Sequence, residues 1–280
     1  MSRNFLSEIV TRKREEIAKF CADKTPDELL RRALEIRNNA TTHRLLNAFK
    51  ATSPGLKIIA EFKRRSPSAG IIRAKAAPTD VAVAYQRGGA CAISVLTDRE
   101  FFGGSIDDLV AIRQATQLPI LRKDFIIDPV QIYEAAIAGA DAVLLIVAAL
   151  SDGLLCELRH VAEDQLGLDA LVEVHTSEEF RRALDAGTKI IGVNNRDLQT
   201  FQVSLETSER LIAEAPHDRI IVSESGLQTA ESFRRLQKLG FHGFLIGETL
   251  MRATDPEKAL RDFIAEFEAE QATSSPAYPS

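Results

Sequence analysis

Eight short apolar runs recur along this chain, and their number and spacing constrain the fold more than any other feature. They read KIIAEF (57–62), CAISVLT (91–97), PILRKDF (119–125), AVLLIV (142–147), ALVEV (170–174), IIGVNN (190–195), RIIVSES (219–225) and GFLIGE (243–248). Most are rich in β-branched residues, and they start roughly 20 to 35 residues apart, the length of a strand, a helix and two turns. The segments between them carry helical periodicity, as in SIDDLVAIRQAT, DPVQIYEAAIAGA and TAESFRRLQKLG, and several end in glycine, a common helix stop. Strand and helix in strict alternation predict a parallel sheet, and eight repeats favour closure into a (β/α)8 barrel. The rival is an open, doubly wound sheet. The Gly-rich dinucleotide fingerprint that usually follows its first strand is absent here.

The first fifty residues have a different texture and are expected to form a helical extension (1–50) on a barrel spanning 51–267. In TPDELLRRALEI, Thr25 suits an N-cap, Pro26 the first helical position and Glu28 the third position of a capping box. Apolar periodicity fades after Phe267, so residues 268–280 are expected to fray or stay disordered.

Composition narrows the function classes. Of 280 residues, 35 are Lys or Arg and 40 are Asp or Glu, so the net charge of −5 gives no electrostatic case for nucleic acid. Cys21, Cys91 and Cys156 lie far apart with no zinc-ligand spacing, and a sparse, odd count fits a reducing cytoplasm. The N-terminus lacks the apolar core of a signal peptide, and the longest apolar run, AVLLIVAAL, is too short to span a bilayer.

In a (β/α)8 barrel the reacting groups stand at the C-terminal ends of the strands, and strand side chains alternate between faces. If Ile59 points into the barrel, Glu61 and Lys63 point the same way at its rim, while Phe62 faces the helices. By the same phase Lys123 follows Leu121 and Glu173 follows Leu171. Strand six ends in Asn194, Asn195 and Arg196, strand seven in Ser223, Glu224, Ser225 and Gly226, and strand eight in Gly247 and Glu248. One charge after a strand is usually a solvated loop residue. Six polar strand ends in one chain suggest acid–base chemistry among groups that tune one another. The SESGL and LIGE loops add small residues where such barrels often bind phosphate, and SPSAG adds Ser66 and Ser68. Glu248 suits a phosphate only through its backbone N–H. Phe101 and Phe102 read equally as a lid over an aromatic ligand or as loop anchors. The five histidines show no triad or metal spacing.

The ordered set IAEFKRRSPSAG, SVLTDREFFGGS, LRKDFIIDPVQIYEA, ADAVLLIVAAL, LVEVHT, IGVNNRDL, VSESGL and FLIGETLMR resembles the indole-3-glycerol phosphate synthase family over residues 4 to 267. That resemblance implies ring closure of 1-(2-carboxyphenylamino)-1-deoxyribulose 5-phosphate with loss of CO2 and water, in tryptophan biosynthesis, with no metal or organic cofactor. It implies Lys123 as general acid and Lys63, Glu173 and Glu61 as its acid–base partners, Glu61 orienting Lys63. Asn194, Arg196 and Glu224 match positions near the substrate's polar groups. Ser66, Ser225, Gly226, Gly247 and Glu248 match its substrate and phosphate contacts. Phe102, Phe125, Leu144 and Phe201 match a pocket for the anthranilate ring, although the family varies at Phe201 and Glu248. The implied partner is a phosphorylated small molecule, not nucleic acid or membrane. The chain itself is expected to be a cytoplasmic monomer or weak homo-oligomer, with contact to other enzymes of its pathway left open. Two rivals use the same barrel: a Schiff-base aldolase with a rim lysine as nucleophile, and a non-catalytic sugar-phosphate-binding barrel. A phosphoribosylanthranilate isomerase would place a cysteine after strand one, where this chain has Glu61 and Lys63.

Overall fold

The computed structural model describes residues 5–51, 55–197 and 200–274. Eight parallel strands close into a barrel in chain order: Ile58–Phe62, Ala92–Leu96, Ile120–Lys123, Ala142–Ile146, Asp169–Val174, Ile190–Asn194, Ile220–Glu224 and Gly243–Ile246. The last pairs with the first through Ile58 with Phe244, Ile59 with Leu245 and Ala60 with Ile246. Each strand coincides with a predicted run to within a few residues. The third run is shorter than its apolar length suggests, so Phe125 lies beyond its strand. The eighth ends at Ile246, and Glu248 opens a short helix, Glu248–Arg252.

Side-chain alternation divides the core in two. Ile59, Leu121, Leu144, Leu171, Val222 and Leu245 fill the barrel interior, whereas Phe62, Val95, Val143, Val172, Ile191 and Phe244 pack outward on the helices. Full burial of one such aliphatic side chain contributes about 1.5–3 kcal/mol. The outer helices include Pro78–Gly88, Pro129–Ala138 and Ala230–Leu239, which stop at Gly89, Gly139 and Gly240 in the left-handed conformation that glycine adopts without strain.

Among the described residues, three helices precede the barrel. The first, Phe5–Phe20, lays Ile9 on the barrel interior and Phe5 and Leu6 beside it. The second, Pro26–Arg37, is capped as its sequence predicts, with the Thr25 hydroxyl accepting the Glu28 N–H at 3.3 Å. The third, Arg44–Lys50, closes the N-terminal end of the barrel with Leu45, Leu46 and Phe49. At the other terminus the last helix, Pro256–Ser274, runs beyond Phe267, where periodicity fades in the sequence. Residues 275–280 of the expected tail lie outside the described residues.

Candidate active site

A cavity of about 610 Å³ opens at the C-terminal ends of the strands. The sixteen residues matched by the family resemblance line it: the charged and polar set Glu61, Lys63, Lys123, Glu173, Asn194, Arg196 and Glu224, the loop residues Ser66, Ser225, Gly226, Gly247 and Glu248, and the apolar Phe102, Phe125, Leu144 and Phe201. Asn195 and Ser223, also named at strand ends, lie away from it and bond each other at 3.0 Å.

The charged residues form two linked sets. Lys63 Nζ lies 2.5 Å from Glu61 Oε1. Lys123 Nζ lies 3.2 Å from Glu173 Oε2 and 2.5 Å from Glu224 Oε2. All three glutamates are buried. Burial pushes the Lys123 ammonium down, but Glu224, Glu173 and Glu61 more than offset it, so its pKa lies above the ordinary lysine value. Glu224 is pushed up to about 7, first by burial and further by Glu173 and Glu61, against the pull of Lys123. The second oxygen of Glu224, Oε1, is buried and accepts no hydrogen bond from the described residues.

Arg122 and Asp124, which flank Lys123 in the sequence, are buried. They turn outward, where Arg122 bonds the Thr97 hydroxyl at 3.1 Å and the Gln131 carbonyl at 2.7 Å.

Two glycines make room for the carboxylates. A methyl group on Gly192 would stand 2.1 Å from Glu224 Oε1, and one on Gly247 would stand 2.1 Å from Glu61 Oε1. Neither is an allowed contact. Gly192 pairs directly with Glu173 across the sheet, so it sits among the rim acids.

The network continues through amides and hydroxyls. Asn194 Nδ2 donates to Glu173 Oε1 at 3.0 Å, and Asn194 Oδ1 accepts the Ser225 hydroxyl at 2.9 Å and the Arg196 N–H at 3.0 Å. Ser225 holds φ = +67°, a conformation uncommon outside glycine, and Gly226 follows at +78°. Arg196 crosses to the first loop and bonds Ser68 Oγ at 3.1 Å, while Ser66 Oγ accepts the Ala69 N–H at 3.1 Å. Glu248 is drawn along its helix by Arg252 at 3.0 Å. His175 bonds the Asn194 carbonyl through Nδ1 at 2.8 Å.

The phenylalanine pair after strand two divides its work. Phe102 lines the cavity 6.2 Å from the Phe125 ring, and Phe101 packs edge-on against Phe5 at 5.3 Å. Phe5, Leu6 and Ile9 also line the cavity and were not legible as site residues. Their helical spacing in the sequence reads as an ordinary apolar stripe, and only the folded chain shows which surface that stripe covers. No group of three or more His, Cys, Asp and Glu among the described residues is arranged to hold a metal.

One end of the cavity is thus apolar and aromatic, the middle carries ammonium and carboxylate groups within proton-transfer distance, and the far side is formed by small-residue loops. The family model for indole-3-glycerol phosphate synthase matches residues 6–263. An indole-3-glycerol phosphate synthase of Acetivibrio thermocellus is 51% identical over 210 residues, which cover 75% of this chain and 80% of the relative. One from Polaromonas naphthalenivorans is 43% identical over 265 residues, 94% of this chain and 99% of the relative. Among solved structures, a thiamine phosphate pyrophosphorylase from Pyrococcus furiosus covers 76% of this chain and 96% of its own, with a TM-score of 0.58 and 20% identity. The KGPDC of Streptococcus mutans covers 77% of this chain and 99% of its own, with a TM-score of 0.58 and 16% identity; these two likenesses speak to the barrel alone. The chain belongs to the indole-3-glycerol phosphate synthase family.

Proposed function

We propose that Lys123 is the general acid of the ring closure this enzyme performs, held charged and aimed by Glu173 and Glu224. The chain is a decarboxylating lyase of tryptophan biosynthesis that converts 1-(2-carboxyphenylamino)-1-deoxyribulose 5-phosphate to indole-3-glycerol phosphate, CO2 and water. The observation that carries the assignment is the position of Lys123 Nζ, between two buried carboxylates at the mouth of the barrel.

The reaction needs two proton deliveries and one removal. The ring carbon that bears the carboxylate attacks the ribulose ketone, and the oxygen that gains charge takes a proton from Lys123. Loss of CO2 then returns the electron pair to the ring and restores its aromaticity. The hydroxyl leaves as water with a second proton, and a base takes a proton from the methylene carbon beside nitrogen. Glu173 and Lys63 lie on either side of this path and are assigned to the second stage, with Glu61 holding Lys63. Glu224, matched by family position to the substrate hydroxyls, gains a second assignment from its 2.5 Å contact: it tunes Lys123. Asn194 orients Glu173, and Arg196 links the sixth-strand loop to the first.

The apolar end of the cavity takes the anthranilate ring, between Phe102, Phe125, Leu144 and Phe201. The phosphate lies against Ser225, Gly226, Gly247 and the backbone of Glu248, with Lys63 and Ser66 nearby. Residues 1–50 act as an extension of a 51–267 barrel, and no described helix is long and apolar enough to cross a membrane. A cytoplasmic monomer or weak homo-oligomer is the accompanying reading.

The test mixes the purified protein with the carboxyphenylamino-deoxyribulose phosphate in chelator-treated buffer and follows indole fluorescence. Saturable product formation is expected, with no adduct trapped by borohydride. An imine trapped on Lys63 or Lys123 with a ketose phosphate would favour the aldolase instead.

A further inference from the structure

The first helix carries one charged side chain into the protein interior, where the reaction gives it no proton to move. Lys13 is 3% exposed. Its Nζ stands 2.9 Å from Asp98 Oδ2, 2.9 Å from Asp124 Oδ1 and 2.8 Å from Glu16 Oε2. Asp98 and Asp124 are as deeply buried. Buried charges of this kind persist only while they neutralise one another. Burial pushes the Lys13 ammonium down, yet Asp124 and Asp98 more than reverse this and keep it charged.

What these aspartates hold with their other bonds shows the consequence. Asp98 Oδ1 accepts the backbone N–H of Phe101 at 2.7 Å and of Phe102 at 3.2 Å. Asp124 Oδ1 accepts the N–H of Phe125 at 2.8 Å, and its Oδ2 accepts the Thr97 hydroxyl at 2.6 Å. Phe102 and Phe125 are two walls of the aromatic end of the cavity. On the helix of Lys13 itself, Ile9 lies one turn earlier and lines the same space, and Phe5 meets Phe101 and, at 5.1 Å, Phe201. One ammonium therefore ties together the loop after strand two, the loop after strand three and the first helix.

We infer that Lys13 is a positioning residue for the aryl end of the substrate, acting through Asp98 and Asp124 on the aromatic walls and through its own helix on their cover. This deepens the reading that the apolar end of the cavity takes the anthranilate ring, and rests on it.

The test compares K13M, which keeps the length of the side chain and removes its charge, with K13R, which keeps the charge. Steady-state kinetics are measured with the full substrate, together with inhibition by anthranilate and by inorganic phosphate. For K13M, KM and the anthranilate inhibition constant are expected to rise about tenfold, kcat to stay within about threefold, and the phosphate constant to stay within about twofold. K13R is expected to recover most of the loss. Folded K13M with wild-type KM and anthranilate inhibition overturns the inference. So does a rise in the phosphate constant by the same factor, because general loosening of the fold would move both ends of the site together. Should K13M fail to fold, D98N leaves Lys13 paired to Asp124 and Glu16, and a folded D98N with unchanged KM is equally decisive against the inference. Wild-type protein that binds phosphate but neither anthranilate nor the full substrate would instead refute the ring-pocket reading beneath it.

Discussion

The two ends of the barrel both bury carboxylates, and they treat them differently. At the N-terminal end, Asp141 accepts from Arg44 at 2.9 and 3.0 Å, from Arg113 at 2.9 Å and from the Ile120 N–H at 3.0 Å. Asp169 takes the Leu46 N–H at 3.0 Å on one oxygen and lies 3.1 Å from the His43 ring on the other. Their donors are mostly backbone amides and arginines, groups that do not release protons near neutrality. At the C-terminal end the partners of Glu61, Glu173 and Glu224 include lysines, which do exchange protons, and Glu224 Oε1 accepts no hydrogen bond from the described residues. Asp141 and Asp169 thus have partners on both oxygens, an arrangement that serves stability. Glu224 at the upper end keeps unused bonding capacity beside the cavity proposed to take the substrate.

Substitutions at each end test that division. The largest effect is expected for Lys123→Ala. Loss of a general acid should lower kcat by about a thousandfold with substrate affinity kept within a few-fold. Comparable turnover in variant and wild type would remove Lys123 from the mechanism. Next is Asp141→Ala at the opposite end, which strands Arg44 and Arg113 beside a buried strand start. Denaturant titration should show a loss of about 3–5 kcal/mol, with kcat in the folded protein unchanged. A drop in kcat without a drop in stability would mean the ends are not independent.

The smallest effect concerns pH. Glu224 holds its proton up to about pH 7 when folded, above the ordinary glutamate value of 4.5. Between those values the folded chain binds a proton that the unfolded chain has released. Its contribution to stability is thus fully present below about pH 4.5 and is lost as pH rises through about 7. The unfolding free energy of wild type relative to E224Q should fall by on the order of 2–3 kcal/mol across that window. A flat difference would place the Glu224 proton elsewhere in the cluster.

The barrel was legible because each strand is a contiguous apolar run, and period-two alternation within the run is enough to aim Glu61, Lys63, Lys123 and Glu173 at one rim. Both signals are local. Lys13 illustrates what was not legible. In FLSEIVTRKREEI it sits among Arg12, Arg14, Glu15 and Glu16, where a solvated helix face is the natural reading. Its partners Asp98 and Asp124 lie more than eighty residues away, and no periodicity encodes that meeting. The link between Lys123 and Glu224 is hidden for the same reason: strands three and seven stand apart in the barrel wall, and their side chains meet only across its interior. Glu248 shows the converse limit, since a favourable strand-like run concealed a helix start.

The room that Gly192 and Gly247 leave for the carboxylates carries a consequence for anyone who would transplant this chemistry. A rim acid here is encoded by two codons, one for the carboxylate and one for the glycine that leaves it space, Gly192 on strand six or Gly247 just past strand eight. Copying Glu224 or Glu61 alone onto another barrel would turn the carboxylate away from the position it holds here. A library built to evolve a new rim acid should therefore vary residues in such pairs, because the acid takes this position only where the glycine leaves it room.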